Sequence, residues 1–478
     1  MARTAGDPRE PAGDAGGTAG AVGADGECGG GGAGPDGGAR PGEDGGAGKD
    51  GRGPEGAAAE GSGEPDGIAG LLARLTVLML RTSGEGAELI AREVEAAGRA
   101  WGAEVSVMLV MDTATLTVAG PDGRARTVIA HAAPDVARLD RIAALKPLLA
   151  EVRAGRCGPA EASARLARIE TAPPPYPWWL KMFGIVLFAL GFAPLMQPTW
   201  YEVGTTAVLA ALAAGLAVAS DRLPRLARVL PLVASVLVSV VTLALFAGDP
   251  AHGGPVLLML PALFFFVPGD LLSAAAAELG AGLVTTGAIR LVYAVFLLVQ
   301  LCVGVLLGVY VTGTSTHALF DTAAEADLPR WVLFASWTVF TAGTVPAFAI
   351  PLRFLPVLLA LVYLTVAVQS GATVLIGETG GTFVAAVALA LTATLLSRGP
   401  ARPPRLILIL PGFFTLTVGS LGMRGLTTLA GGHVVDGFTD LLELVLVVTA
   451  IAMGLVLGAG LVTDRSRRRE PPGQPNSA

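Results

Sequence analysis

Ten long apolar stretches, the first of which begins at Trp178, constrain the fold of this chain more than any other feature. They cover residues 178–196, 201–219, 226–247, 256–279, 289–311, 331–349, 354–370, 381–397, 405–422 and 441–462. Each is near the ~20 residues that an α-helix needs to cross a bilayer. Charged residues make up only 15% of the 478-residue chain, against about 25% in soluble domains. The sequence therefore predicts a mainly α, polytopic membrane protein with ten transmembrane helices.

The charges between these stretches predict the orientation of the helices. Basic residues dominate the ends expected inside, at Lys181, Arg222, Arg225, Arg228, Arg290, Arg353, Arg398, Arg402, Arg405, Arg465, Arg467, Arg468 and Arg469. Acidic residues dominate the other ends, at Glu202, Asp249, Asp321, Glu325, Asp327, Glu378, Asp436 and Asp440, with Arg330 and Arg424 as basic exceptions. Cytoplasmic loops carry an excess of Lys and Arg. We therefore predict a multi-pass protein of the cell (inner) membrane, with both termini in the cytoplasm and no cleavable signal peptide.

The chain preceding the membrane region divides into two parts. Residues 1–67 are rich in Gly, Ala and acidic residues and have almost no large apolar side chain, so this tail is predicted to be disordered. Residues 68–172, here called the N-terminal unit, alternate between helical and period-two apolar patterns, which predict a small cytoplasmic α+β domain. Pro173, Pro174 and Pro175 form a stiff linker to the membrane, and residues 464–478 form a cytoplasmic tail.

Two Pro-Gly pairs lie at matching places in the membrane region. Pro268-Gly269 follows one apolar run and Pro411-Gly412 follows another, and each pair is expected to interrupt a helix. Interruptions at corresponding points of two halves indicate the substrate site of a transporter. The ten stretches divide into a first half, residues 178–311, and a second half, residues 331–463. Five helices in each half predict an inverted repeat.

Further sequence likenesses support this division and point to a family. Gly304 and Gly308 match Gly454 and Gly458, as GxxxG pairs that permit close helix packing. With the segments Ser83 to Glu88, Val267-Pro268-Gly269, Gly287-Ala288-Ile289-Arg290 and Leu410-Pro411-Gly412, the chain resembles the threonine/serine exporter family over roughly residues 70–465. The resemblance implies export of small amino acids, driven by the membrane potential or a proton gradient, and no enzymatic activity. Some relatives, whose halves are separate chains, are associated with dicarboxylates.

The predicted substrate-binding residues surround the two Pro-Gly pairs: Pro268, Gly269, Asp270, Ser273, Pro411, Gly412, Thr415 and Thr417. Asp270 is also the candidate for proton coupling, since an acid inside a membrane is costly and is a functional hypothesis by default. The alternative is that Asp270 only caps the following helix. Hydroxyl groups and freed backbone groups can bind the ammonium, carboxylate and hydroxyl of an amino acid. The alternative for the Ser and Thr residues is a bond within their own helix.

The remaining polar residues form no recognisable reaction centre. Cys28, Cys157 and Cys302 lie in three different regions, and the four histidines have no carboxylate or cysteine at ligand spacing, so no metal site and no cofactor is predicted. No nucleotide-binding loop or basic aromatic patch is present, which argues against ATP-driven transport and nucleic-acid binding.

Arg290 and Arg424 are interpreted as interfacial anchors, and Glu378 as an exposed loop acid. Gln300 and Gln369 are predicted to hydrogen-bond between helices.

The sequence thus predicts a secondary-active exporter of threonine and serine that acts by proton-coupled alternating access, with protons, the small-molecule substrate and the bilayer as its partners. Two alternatives stay open: a dicarboxylate (succinate-like) exporter of the same architecture, and a membrane-anchored enzyme or signalling protein acting through residues 68–172. The sequence also leaves open the coupling ion, the stoichiometry, the oligomeric state, and the roles of the N-terminal unit and the glycine-rich tail.

Overall fold

A computed structural model describes residues 65–82, 86–110, 113–120, 124–132, 138–197, 199–246, 254–280, 282–314, 328–399, 401–416, 425, 428 and 434–467. The fold is mainly helical, with a small β-sheet near the N-terminus. The predicted tails, residues 1–67 and 464–478, lie almost wholly outside the described residues.

The N-terminal unit consists of four helices and one sheet. The helices are α1 (Pro65–Thr82), α2 (Ala87–Ala100), α3 (Leu139–Arg153) and α4 (Pro159–Thr171), and the strands are β1 (Glu104–Val110), β2 (Thr113–Ala119) and β3 (Ala125–His131). The sheet is antiparallel in the order β1-β2-β3, with Val105 opposite Val118 and Leu116 opposite Val128. Ala114, Leu116 and Val118 alternate as the buried residues of β2, as expected for a strand with one face on a core.

Helix α3 belongs to two hydrophobic cores at once. Its later residues, Leu145 and Leu148 among them, pack in the core of the N-terminal unit. Its first residues, Leu139, Ile142 and Ala143, pack instead with the buried residues of the membrane region. The N-terminal unit is therefore seated on the membrane region through a continuous apolar contact.

The membrane region is built from helices α5 (Trp178–Phe192), α6 (Trp200–Ser220), α7 (Pro224–Val241), α8 (Pro255–Leu263), α9 (Gly269–Gly280), α10 (Val284–Thr312), α11 (Arg330–Ala347), α12 (Leu355–Leu396), α13 (Arg405–Thr415) and α14 (Val434–Arg467). Within the described residues, six helices are long and apolar enough to cross a membrane, and two shorter apolar helices cover Pro255–Phe266 and Arg405–Thr415. This is a membrane protein. The full set of ten spans, arranged as an inverted repeat, stays a prediction.

Helix α12 reverses direction at Gly377 and is a helical hairpin. Gly377 has φ 80° and ψ 175°, a conformation that is not helical. Gln369 Nε2 donates a hydrogen bond to Thr382 Oγ1 at 3.2 Å, although residues thirteen apart would lie about 20 Å apart along a straight helix. Gln369 therefore joins two antiparallel segments, which correspond to the predicted stretches 354–370 and 381–397. Glu378 lies exposed at the tip.

The two GxxxG pairs pack in corresponding ways. Gly304 and Gly308 of α10 lie against α7, where an added Cβ would come within 2.8 Å of Ser235 Cβ and 3.2 Å of Val240 N. Gly454 and Gly458 of α14 lie against the second segment of α12, where an added Cβ would come within 2.7 Å of Phe383 O and 2.9 Å of Ala390 Cβ. In each half, the last helix thus uses its two glycines to approach an earlier helix of the same half.

Candidate functional site

The helical structure is interrupted at Pro268-Gly269, between α8 and α9. Helix α8 ends at Leu263, a 3-10 turn covers Phe264–Phe266, and Val267 is extended with φ −71° and ψ 123°. The Gly269 N–H donates to Val267 O at 2.8 Å, and Leu272 N–H donates to Pro268 O at 3.1 Å. Val267, Pro268 and Gly269 are buried. A helix N-terminus, which favours negative charge, therefore begins inside packed protein.

Asp270 and Ser273 lie in the first and second turns of α9. Asp270 is the second residue of that helix, so its backbone belongs to the N-terminal turn, where an acid is favourable. The structure describes the backbone, but not the side chains, of these two residues. Their roles in coupling and binding stay predictions.

The second Pro-Gly pair does not interrupt its helix, and the expectation of two equivalent breaks is wrong. Pro411 lies inside α13, which continues to Thr415. Gly412 is packed against α12, where an added Cβ would lie 2.7 Å from Leu389 Cδ1 and 3.1 Å from Thr365 Oγ1. Proline removes one hydrogen bond but has a φ that suits a helix, and α13 is fixed by its close contact with α12. Gly412 is thus a packing glycine.

The hydroxyl groups near this pair, the predicted Thr415 among them, bond within their own helices where the structure describes them. Thr415 is buried, and its Oγ1 donates to Gly412 O at 2.6 Å. Thr365, which faces Gly412, donates to Leu361 O at 2.8 Å. Thr417 lies outside the described residues. The Thr415 hydroxyl can still accept a hydrogen bond, but its hydrogen is already donated within its own helix.

Phenylalanine rings from the two Pro-Gly segments pack against each other. Phe264, next to the first pair, and Phe414, next to the second, have ring centroids 5.7 Å apart. Phe188 of α5 contacts both rings, at 5.7 and 5.3 Å, and Phe192 stacks on Phe264 at 3.7 Å. Sequence reasoning missed this cluster, although its signal is visible as the runs Phe264 to Phe266 and Phe413-Phe414 that flank the two pairs.

The far end of α9 carries a buried charge cluster that sequence reasoning did not assemble. Glu278 Oε2 lies 3.2 Å from Arg290 Nε of α10, and the two side chains are 6% and 10% exposed. This Nε–H is not aligned for a hydrogen bond to Oε2. Glu278 Oε1 accepts a hydrogen bond of 3.2 Å from the N–H of Ala87, the first residue of α2. Arg290 is therefore a buried ion-pair partner, and its interpretation as an interfacial anchor is wrong.

Glu202, a second buried acid, has a local structural role. The sequence assigns it to an outer end, which stays a prediction, and its side chain is fully buried. Its Oε2 accepts hydrogen bonds of 2.9 Å from the backbone N–H and the hydroxyl of Thr199, and the two residues form a capping box at the start of α6. Such a box satisfies two N-terminal donors of a helix.

The N-terminal unit also contacts the second half. Leu139 N–H donates to Phe348 O at 3.2 Å, and Tyr176 Oη donates to Ile350 O at 2.7 Å. Lys146 Nζ donates to Pro403 O at 3.1 Å. A cavity of about 270 Å³ lies beside this last contact, lined by residues of α1, α2 and α3 and by Ser397, Pro404 and Arg405.

The family model described as "Putative threonine/serine exporter" matches residues 71–312, a little over half of the 478 residues. The chain belongs to the threonine/serine exporter family. The matched range includes the Pro268-Gly269 interruption and every residue of the Glu278, Arg290 and Ala87 cluster. Membership of this family points to an exporter rather than an enzyme.

A curated relative supports the same assignment. The chain is 27% identical over 372 residues to a protein of Mycobacterium tuberculosis named "Probable threonine/serine exporter", with 70% of this chain and 66% of the relative covered. The chain thus spans slightly less than two thirds of that relative's length. No solved structure matches the chain.

Proposed function

We propose that this chain exports small polar amino acids, with threonine and serine first, across the cytoplasmic membrane by proton-coupled alternating access. The observation that carries the proposal is the buried start of α9 at Pro268-Gly269, within the range that matches the exporter family. The N-terminus of a half-helix inside a transporter is suited to the carboxylate of a substrate. Gly269 has no side chain that would stand between a substrate and the backbone at this helix start.

Asp270 is proposed as the proton carrier. It follows the interruption directly, so its protonation and the occupancy of the helix N-terminus would influence each other electrostatically. Moving one proton through the membrane potential supplies about 2.3 kcal/mol per 100 mV. Because each 1.36 kcal/mol corresponds to a tenfold concentration ratio, this energy sustains a substrate gradient of roughly 50-fold for each proton transported.

Three packing relationships support an arrangement of ten spans as two related halves. The GxxxG pairs of α10 and α14 each approach an earlier helix of their own half. The hairpin in α12 accounts for two of the ten stretches. Helices α5 and α11, the first of each half, pack directly on one another. With the distribution of Lys and Arg, these features favour an inner-membrane protein whose termini are cytoplasmic.

The dicarboxylate alternative is disfavoured by the charge balance near the interruption. A dianion needs fixed positive charge, and Arg290 and Arg424 are the candidates that the sequence offers. Arg290 is paired with Glu278 at 3.2 Å, so its charge is already balanced. Arg424 lies outside the described residues.

The decisive experiment is counterflow in proteoliposomes that contain the purified chain. Labelled threonine, serine and succinate would be compared, each with and without an imposed pH gradient. We expect threonine and serine to move, the pH gradient to increase their accumulation, and succinate to stay at the level of protein-free vesicles. Absence of threonine and serine movement under every gradient would contradict the proposal, and succinate movement alone would favour the dicarboxylate alternative.

A further inference from the structure

Glu278 connects the interrupted helix to the N-terminal unit across 191 residues of sequence. It lies nine residues after Gly269, about 13 Å along the helix at 1.5 Å per residue. Its carboxylate serves as the missing cap of α2, because Gly86 at the N-cap position has no side chain to accept the first amides. A carboxylate is the favoured group at such a helix start.

The backbone conformation of Gly86 accommodates this contact. It has φ +88°, which L side chains rarely adopt, and an added Cβ would lie 3.6 Å from Glu278 Oε1. The backbone therefore turns so that the first amide of α2 points to the end of α9.

The N-terminal unit thus contacts both halves of the membrane region. Helix α2 contacts α9 of the first half through Glu278. Helix α3 and the linker contact segments of the second half, through Leu139 on Phe348 and Tyr176 on Ile350. A body that contacts both halves restricts any movement of one half against the other.

We propose that the N-terminal unit is a clamp between the two halves, and that Glu278 is the positioning residue through which the clamp sets the orientation of α9. This inference rests on the proposed function, because α9 begins at the proposed substrate site. Arg290 neutralises the Glu278 carboxylate within the first half, whereas the Ala87 N–H links α9 to the N-terminal unit. The two contacts of one carboxylate are therefore separable by mutation.

The first test is hydrogen–deuterium exchange of the full chain in nanodiscs, measured over residues 86–90 without any substrate. In Glu278→Ala we expect exchange at Ala87 to accelerate by roughly tenfold or more, since a hydrogen bond to a charged group is lost. Glu278→Gln should give a smaller change, because the amide oxygen can still accept. The matched control is Glu88→Gln, whose carboxylate is exposed and lies in the same helical turn. Unchanged protection of Ala87 in Glu278→Ala would overturn the proposal.

The second test separates positioning from stability by exchanging the charges, as Glu278→Arg with Arg290→Glu. We expect this double variant to regain most of the thermal stability that Glu278→Ala loses, since the ion pair is restored with inverted polarity. We expect Ala87 protection to stay low and the maximal transport rate to stay at least tenfold below wild type, since arginine cannot accept the Ala87 N–H. A double variant that regained transport together with stability would show that Glu278 is merely structural and would overturn the proposal.

The two proposals fail in distinguishable ways. If the wild-type chain moves neither threonine nor serine, the proposed function fails, yet the exchange of Ala87 in Glu278→Ala still decides whether the contact exists. If wild type transports threonine and Glu278→Ala transports it at the same maximal rate, the clamp fails and the exporter stands. Should Glu278→Ala not fold, the charge-exchanged double variant supplies the same decision, because arginine at position 278 cannot accept the Ala87 N–H; unchanged protection of Ala87 in that variant would overturn the proposal.

Discussion

Gly184 of α5 and Gly343 of α11 face each other across the contact between the first helices of the two halves. A Cβ added to Gly343 would lie 2.7 Å from the carbonyl oxygen of Gly184, and a Cβ added to Gly184 would lie 3.0 Å from the carbonyl oxygen of Gly343. The relationship is reciprocal, as the proposed arrangement of two related halves predicts. In a membrane, such close backbone approach is a principal source of helix association.

We therefore expect Gly343→Ala to destabilise the membrane region. The atoms that a new Cβ would meet belong to backbone and cannot rotate away, so the cost should be about 1–3 kcal/mol. Thermal unfolding in detergent, followed by fluorescence-detected size exclusion, measures the change.

The matched control is Gly215→Ala in α6, where an added Cβ meets nothing within 4 Å. It should leave stability unchanged or raise it by about 0.4–1 kcal/mol. Equal unfolding temperatures for the two alanine variants would contradict the packing argument.

Gly377→Ala should weaken the α12 hairpin. At φ 80° and ψ 175° the backbone is in a region essentially confined to glycine, and a non-glycine residue costs about 1–3 kcal/mol there. The measurement is formation of a disulfide between cysteines placed at positions 369 and 382, which should be fast in the parent and slow in the alanine variant. Gly371→Ala, in the first segment of the same hairpin and with open space around it, should crosslink like the parent.

Asp270→Asn should abolish proton-driven accumulation of threonine while sparing counterflow of labelled substrate. Asparagine keeps the shape of the side chain but cannot gain or lose the proton. Glu378→Gln, at the exposed hairpin tip, is the control and should keep full proton-driven accumulation. If Asp270→Asn retained the wild-type response to a pH gradient, Asp270 would have no part in coupling.

The thiol of Cys157 in the N-terminal unit should resist alkylation at neutral pH. Burial, followed by the negative charge of Glu161, raises its pKa above the ordinary thiol range, and the residue is 2% exposed. The folded thiol stays protonated at a pH where the unfolded thiol has ionised. Its contribution to stability is therefore complete below the ordinary thiol pKa, about 8.5, and is lost as pH rises through the raised folded value.

Peptide-level maleimide labelling across pH 7 to about 10 tests this expectation. Labelling of Cys157 should increase later in the titration than labelling of the same peptide in urea. The variant Cys157→Ser should show a smaller loss of stability in alkaline solution. Identical labelling profiles in folded and unfolded chains would contradict the predicted shift.

Strands and membrane helices could be predicted from the sequence because each follows from a local pattern of residues. The period-two run from Leu116 to Val118 predicts a strand, and the length and apolarity of the stretches predict membrane helices, because these features depend on neighbours along the chain. Pro268 interrupts its helix as predicted. Pro411, in the same dipeptide, does not, because the close packing of Gly412 against Leu389 holds α13 in place, and that contact is set by distant residues.

The charge cluster could not be predicted for the same reason. Glu278 and Arg290 look like separate charges at helix ends when they are considered one at a time. Their pairing depends on the turn between α9 and α10, and the contact with Ala87 depends on how the N-terminal unit is seated. A signal was nevertheless present, since Ala87 and Arg290 both belong to the short segments that carry the family resemblance.

The placement of the Glu278 carboxylate at the start of α2 has a practical consequence for dissecting this protein. A fragment that stops at the membrane boundary would lack the acceptor for the Ala87 amide, and would also lack the Phe348 carbonyl that receives the Leu139 amide. Two helix beginnings would then be left open to water and prone to fraying. The first turns of α2 and α3 thus rely on acceptors that the membrane region supplies, and a fragment cut at this boundary would lose both.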